Sequence, residues 1–283
     1  MRSIIIALVL LGLAGTAQAA SDTLKRIKDS GEIRFGYRAA TEPFSFTNDD
    51  GRAAGYSIDL CARIATAVKT ELGLKDLKTT YVEVNLKDRF DAVASGKIDI
   101  LCAATTITLG RMEKVDFTVM TFVTGGGVMS RASAPVKLTA DLAGKTVAVV
   151  AGSTSETGFP SFLEQSFIDA NITKAESLEA ARAMLDAGEV DAVAGDQISL
   201  IGQIVTSEDP RAYKIAEDLF SYEPYGLVVQ RGDTEFLMLA NRALVRTYRT
   251  GQFKPIYDQW LGRIGLRPTP ILQAMFTLFS FPE

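Results

Sequence analysis

The sequence predicts an α/β protein of two lobes, each a mixed sheet flanked by helices. Three observations carry this prediction. The chain has 283 residues, 47% of them hydrophobic and 23% charged, which is enough for about two domains that each bury a core. Short strand-like apolar runs alternate with amphipathic helical stretches, the pattern of helices packed on the faces of a largely parallel sheet. That alternation also occurs twice: at an offset of 92 positions, Val93, Gly96 and Asp99 correspond to Leu185, Gly188 and Asp191.

The first nineteen residues run from Arg2 through an apolar stretch over 4–13 to Ala17-Gln18-Ala19. Basic, apolar and small-residue segments in that order predict a secretory signal peptide cleaved after Ala19, and the apolar run is too short to span a bilayer. In the first lobe, 33–37 reads as a strand, 57–72 as a helix and 79–84 as a strand. A helix over 86–95 follows, capped by Asn85 and stopped by Gly96, and then a strand over 98–103. The second lobe repeats the order with a strand at 146–150, a helix after Ser155, a strand at 172–176, a helix at 178–187 stopped by Gly188, and a strand at 190–194. Two extended segments, 121–130 and 224–230, are the candidate crossings between lobes. The expected division is therefore a signal peptide over 1–19, a first lobe of 20–125 with 227–283, and a second lobe of 126–226. Helices are expected over 235–249 and 254–261, and a docked apolar tail over 271–281.

Composition excludes several functions. With 30 Lys+Arg against 34 Asp+Glu and a net charge of −4, there is no electrostatic footprint for nucleic acid or an anionic membrane. The chain has no His and two Cys, which removes Ser-His-Asp and Cys-His catalysis, and two cysteines alone cannot build a zinc site. No metal and no cofactor is expected. The triplet Gly125-Gly126-Gly127 lacks the Lys-Ser/Thr of a phosphate loop and reads as backbone freedom near a crossing. Export would place Cys61 and Cys102, 41 positions apart, in an oxidising compartment. They then either pair across a helix–sheet contact or stay as two buried thiols.

Open α/β sheets bind ligands beyond the carboxyl ends of their strands, where strand order switches. That rule selects Ala104, Thr105 and Thr106 in the first lobe, and Gly195 and Asp196 in the second. Arg111, a few residues on, has the planar fork that matches a carboxylate, and threonine hydroxyls add donors; the alternative for Arg111 is a solvated surface charge. Asp196 either binds an ammonium group or caps the next helix. Ser153 and Thr154 either help bind an anion or cap the helix after Ser155. Arg38 ends the first strand and Arg89 sits one turn into its helix, so both can reach the same strand ends. Of Phe44 and Phe46, one is expected to cover an aliphatic ligand stem and the other to enter the core.

These residues carry a resemblance. Gly36-Tyr37-Arg38, Pro43-Phe44-Ser45, Gly55-Tyr56-Ser57-Ile58-Asp59-Leu60, Thr106-Ile107-Thr108 with Arg111, Asp116-Phe117 and Gly152-Ser153-Thr154-Ser155-Glu156 together resemble the polar amino-acid branch of periplasmic solute-binding proteins. The resemblance spans nearly the whole mature chain. It implies a type II periplasmic binding fold with two hinge crossings, a monomer that takes an amino acid in its interlobe cleft and delivers it to the membrane subunits of an ABC importer. Carried over by motif, Arg111, Thr106 and Thr154 would hold the α-carboxylate and Asp196 the α-ammonium. Arg38 and Arg89 match arginines of glutamate/aspartate-binding members that form the acidic side-chain pocket, and Cys61 and Cys102 match a bridge of that subgroup. Leu86 and Ala104 stand where those members have serine, Gly110 replaces a common acid, and the histidine some of them use is absent. A rival on the same scaffold is an exported enzyme resembling cyclohexadienyl dehydratase, which would use a cleft carboxylic acid for proton transfer.

Overall fold

A computed structural model describes residues 22–282; the signal peptide expected over 1–19 lies outside them. The first lobe is built on a sheet whose central strand, Glu32–Tyr37, pairs in parallel with Lys78–Glu83 on one side and Ile100–Leu101 on the other. Val228–Gln230 then joins antiparallel, between Ile100–Leu101 and Val115–Phe117. The second lobe has Thr146–Val150 in parallel between Asn171–Ala175 and Ala192–Asp196, with the long strand Phe122–Arg131 antiparallel beyond them. Strand order thus reverses beside the first strand of each lobe.

The helix Tyr56–Glu71 connects two of these strands because its buried positions, among them Leu60, Cys61, Ile64, Ala65 and Val68, form one stripe against the sheet. The repeat seen in the sequence is physical. Gly96 and Gly188 both take positive φ, 69° and 75°, to end their helices. Val93 and Leu185 are fully buried. Asp99 accepts from the Arg34 backbone N–H at 2.7 Å, as Asp191 does from that of Thr146 at 2.9 Å, so each aspartate ties a returning strand to the start of its neighbour.

Two expectations need correction. The second helix is shorter than predicted, Arg89–Ala94, because Asn85 caps a turn ahead of it: its Oδ1 accepts from the N–H groups of Lys87 (2.8 Å) and Asp88 (3.1 Å). The glycine triplet lies inside the strand Phe122–Arg131 and none of the three has positive φ. Packing requires these glycines: a Cβ on Gly126 would sit 2.4 Å from the Phe220 ring and the Ser221 hydroxyl, and one on Gly125 would sit 2.7 Å from the Ser221 carbonyl.

The apolar tail forms the helix Pro270–Leu278, started by the Thr269 hydroxyl accepting from the Leu272 N–H at 3.3 Å. It docks by burying Leu272, Met275 and Phe276, the last ring 4.0 Å from that of Phe253. Among the described residues no helix is long and apolar enough to cross a membrane, and no group of acids and cysteines is placed to hold a metal.

Cys61 and Cys102 are bonded, with Cα atoms 6.1 Å apart, and join the first-lobe helix to the strand end that leads into the cleft. Closing a loop of that length stabilises the native state by about 4 kcal/mol in the chain-entropy view. Replacing both cysteines by alanine should therefore lower the calorimetric melting temperature by roughly 10 °C.

Candidate functional site

The carboxyl ends of strands from both sheets face one another across a cavity of about 640 Å³, part of it open to solvent. From the first lobe it is lined by Arg38, Leu86, Arg89, Ala104, Thr105, Thr106 and Arg111, and from the second chiefly by Val150, Ser153, Thr154, Leu178 and Asp196. All but one of the residues expected from the sequence are thereby brought together. The exception is Phe44. It is 1% exposed and its ring packs edge-on against Tyr56, Phe122 and Tyr225 at 5.0–5.7 Å; a planar apolar ring among aromatic partners gains more there than over a polar cleft. Phe46 instead meets Trp260.

The cavity has two electrical halves. On one side lie three guanidinium groups. Burial holds Arg38 and Arg111 below the ordinary arginine range, opposed at Arg38 by Glu179 and at Arg111 by Asp196, Glu223 and Tyr225. Arg89, 3% exposed, is pulled down to about 9 by burial first and then by Arg111 and Arg38. Each still carries its charge at neutral pH. Arg111 is aimed by its Nη1 donating to the Thr106 carbonyl at 2.7 Å, while the Thr108 hydroxyl caps its short helix. Its remaining fork is open to a ligand. Arg89 spends itself on the protein, donating to the Leu86 carbonyl and, across the cleft, to the Gly152 carbonyl at 3.3 Å. The Arg38 guanidinium has no hydrogen-bond acceptor among the described residues.

The other half is anionic. Asp196 stands at the start of the helix Gln197–Val205 but makes no capping hydrogen bond; its carboxyl accepts from the Tyr225 hydroxyl instead. Burial and the nearby Glu223 charge push it up to about 7, against the Tyr225 hydrogen bond and Arg111. Glu223 is the residue that sequence reasoning missed. It is 3% exposed and accepts three hydroxyls, from Thr106 at 2.7 Å, Thr154 at 2.9 Å and Ser221 at 2.6 Å. The two threonines read as free donors for a ligand carboxylate are therefore engaged. The available signal was an acid in a strand-like run, Ser221–Tyr225, directly before Pro224 at the second crossing. The expected crossing, 224–230, begins one residue after it.

The lobes touch closely at the cleft. A Cβ on Gly202, in the helix after Asp196, would lie 2.2 Å from the Glu42 carbonyl of the first lobe, so that backbone approach requires glycine.

Comparisons with known proteins agree with this geometry. The profile of bacterial extracellular solute-binding proteins, family 3, matches residues 33–263. The L-glutamate/L-aspartate-binding protein of Pseudomonas aeruginosa is 34% identical over 261 residues, covering 92% of this chain and 86% of that protein. Among solved structures, an ancestral arginine-binding protein bound to arginine superposes with a TM-score of 0.72 at 31% identity, covering 82% of this chain and 99% of the other. The ancestral amino acid-binding protein AncCDT-1, a precursor of cyclohexadienyl dehydratase, does so with a TM-score of 0.72 at 28% identity, covering 85% and 99%. The relatives matched along the chain are binding proteins, with no enzyme among these three. Two sheets of the same construction, joined by two crossings around a charged cleft, and a profile match over most of its length make this chain a member of the bacterial extracellular solute-binding proteins, family 3.

Proposed function

We propose that the protein is an extracytoplasmic receptor for an acidic amino acid, which it hands to the membrane subunits of an ABC importer. The observation that carries this reading is the half-buried Arg38 guanidinium, which lacks an acceptor and faces a cavity already furnished for a zwitterion. Arg111 takes the α-carboxylate in its open fork, Asp196 takes the α-ammonium, and Arg38 takes the side-chain carboxylate. Charge balance supports the assignment. Three guanidiniums line the cleft and two carboxylates, Asp196 in its wall and Glu223 behind the threonines, oppose them, so a ligand with one more carboxylate than ammonium leaves the filled site neutral. The apolar wall of Leu86, Ala104 and Leu178 suits the short aliphatic stem, the part of the ligand first expected to meet Phe44.

The mechanism follows from the placement of the charges. The carboxylate anchor belongs to the first lobe and the ammonium anchor to the second, so one ligand engages both only when the cleft is closed, and binding drives closure. The lobes, 20–125 with 227–283 and 126–226, move about the two crossings, and the protein works as a periplasmic monomer after removal of 1–19. A micromolar receptor needs about 8 kcal/mol, and each close charge pair supplies on the order of 4 kcal/mol before desolvation.

The test is calorimetric titration with aspartate, glutamate, asparagine and glutamine. Saturable binding of the dicarboxylic members, with the amides at least tenfold weaker, is the expected result. In Arg38→Ala the acidic ligands should lose about 10- to 100-fold and the amides little. Equal losses in both classes would overturn the role given to Arg38.

A further inference from the structure

The hydroxyl protons of Thr106 and Thr154 decide which end of the ligand these residues serve. A threonine hydroxyl has one proton to donate and two lone pairs. Thr106, from the first lobe, and Thr154, from the second, both give that proton to the same oxygen of Glu223, Oε2, at 2.7 and 2.9 Å. The other oxygen, Oε1, accepts from the Ser221 hydroxyl at 2.6 Å, and that hydroxyl in turn accepts from the Gly126 N–H at 3.0 Å. Three incoming hydroxyls with no donor returned is the pattern of an ionised carboxylate, which can only accept. Glu223 itself does not line the cavity, whereas both threonines do. It therefore sits behind them, and what they have left to offer a ligand is lone pairs.

We infer that Glu223 is a positioning residue that turns Thr106 and Thr154 into acceptors, so that with Asp196 they select for the ligand's ammonium group. This reverses the role that the residue types alone suggest. The α-carboxylate is then held by the Arg111 fork, and the threonine hydroxyls are held against the Glu223 carboxylate, whose charge also acts on Asp196. An analogue that lacks the ammonium leaves Asp196 without its partner and brings no donor to the threonine lone pairs, whereas a zwitterion satisfies all of them. Glu223 also binds one hydroxyl from each lobe from its place on the second crossing, so the acceptors are aligned when the lobes are closed.

The inference rests on the site's being one for an amino acid, but not on the ligand's being acidic. It is tested with Glu223→Gln, which keeps the shape but can donate from its amide and so lets a threonine hydroxyl point its proton into the cavity. Calorimetry compares wild type and variant on matched pairs: glutamate with glutarate, aspartate with succinate, and glutamine with its des-amino analogue glutaramate. The expected result is that preference for the amino acid over its des-amino partner falls at least tenfold in the variant, with des-amino binding unchanged or improved. A preference left intact, or equal weakening of both members of a pair, would overturn the inference, since a purely structural role would weaken both alike. If the glutamine pair saturates and the acidic pairs do not, the acidic reading fails while the ratio test stands. A ligand-free measurement covers the case in which no pair saturates. In urea unfolding, Glu223→Gln combined with Thr106→Val or Thr154→Val should destabilise less than the single changes added together; strict additivity would show that the hydroxyls do not depend on Glu223.

Discussion

Arg111→Ala is expected to abolish measurable binding of every amino acid, whatever its side chain. The change removes the open guanidinium fork of the first lobe and leaves an α-carboxylate desolvated in a cleft where Arg89 is already bonded to protein carbonyls. Breaking a buried pair by deleting one partner costs about 3–5 kcal/mol, two to nearly four orders of magnitude in Kd. A micromolar receptor would then bind at about 0.1 mM or weaker. Because Arg111 also anchors the Thr106 carbonyl, Arg111→Lys is the informative companion. It keeps a charge but loses the fork and should recover only a small part of the affinity. Unchanged affinity in Arg111→Ala by calorimetry would remove the carboxylate anchor from the first lobe and with it the explanation of closure.

Asp196 makes the second large prediction, and its sign can be worked out. In the free protein, burial and the Glu223 charge raise this carboxyl to about 7. A raised acid pKa means that the folded state holds a proton which the unfolded chain has released, so this group's contribution to stability is lost as pH rises from about 4 to about 7. A ligand ammonium reverses that preference, because it favours the ionised carboxylate. Binding near pH 6 should therefore release protons, and binding at pH 8.5 should release almost none. Titrations in buffers of different ionisation enthalpy read this directly. The ligand-induced rise in melting temperature should likewise be greater at pH 8 than at pH 5.5. Asp196→Asn should weaken amino-acid binding by about two orders of magnitude or more and eliminate the proton release. Proton release that persists in Asp196→Asn would assign the titration to another group and leave the ammonium unanchored.

The parts of this protein that were legible in its sequence are those governed by local pattern. Alternating strands and helices, the doubled order with its paired Gly96 and Gly188, and the aspartates that follow them are short-range features, and the structure places them in equivalent positions of the two sheets. Arg111 and Asp196 were legible for a related reason: each follows a buried strand, and an open α/β sheet exposes its ligands at the carboxyl ends of strands whatever else the chain does. For the cysteines the sequence allows either a bridge or two thiols, and the Cα separation of 6.1 Å between helix and strand decides for the bridge.

Contacts between elements far apart in the chain were decided only by the tertiary structure. Glu223 meets Thr106 across 117 positions and Thr154 across 69, so no spacing in the sequence marks it as the residue that orients both hydroxyls. Phe44 enters a ring of aromatics contributed by three other segments instead of the cleft. The glycine triplet is set by Phe220 and Ser221 pressing on a strand, not by a turn that needs positive φ. Arg89 lines the cavity and also reaches a carbonyl of the opposite lobe. A residue's type sets what it can donate, accept or bury, but its role depends on which partner reaches it first, and in a two-lobed chain those partners arrive from the other lobe and the crossings.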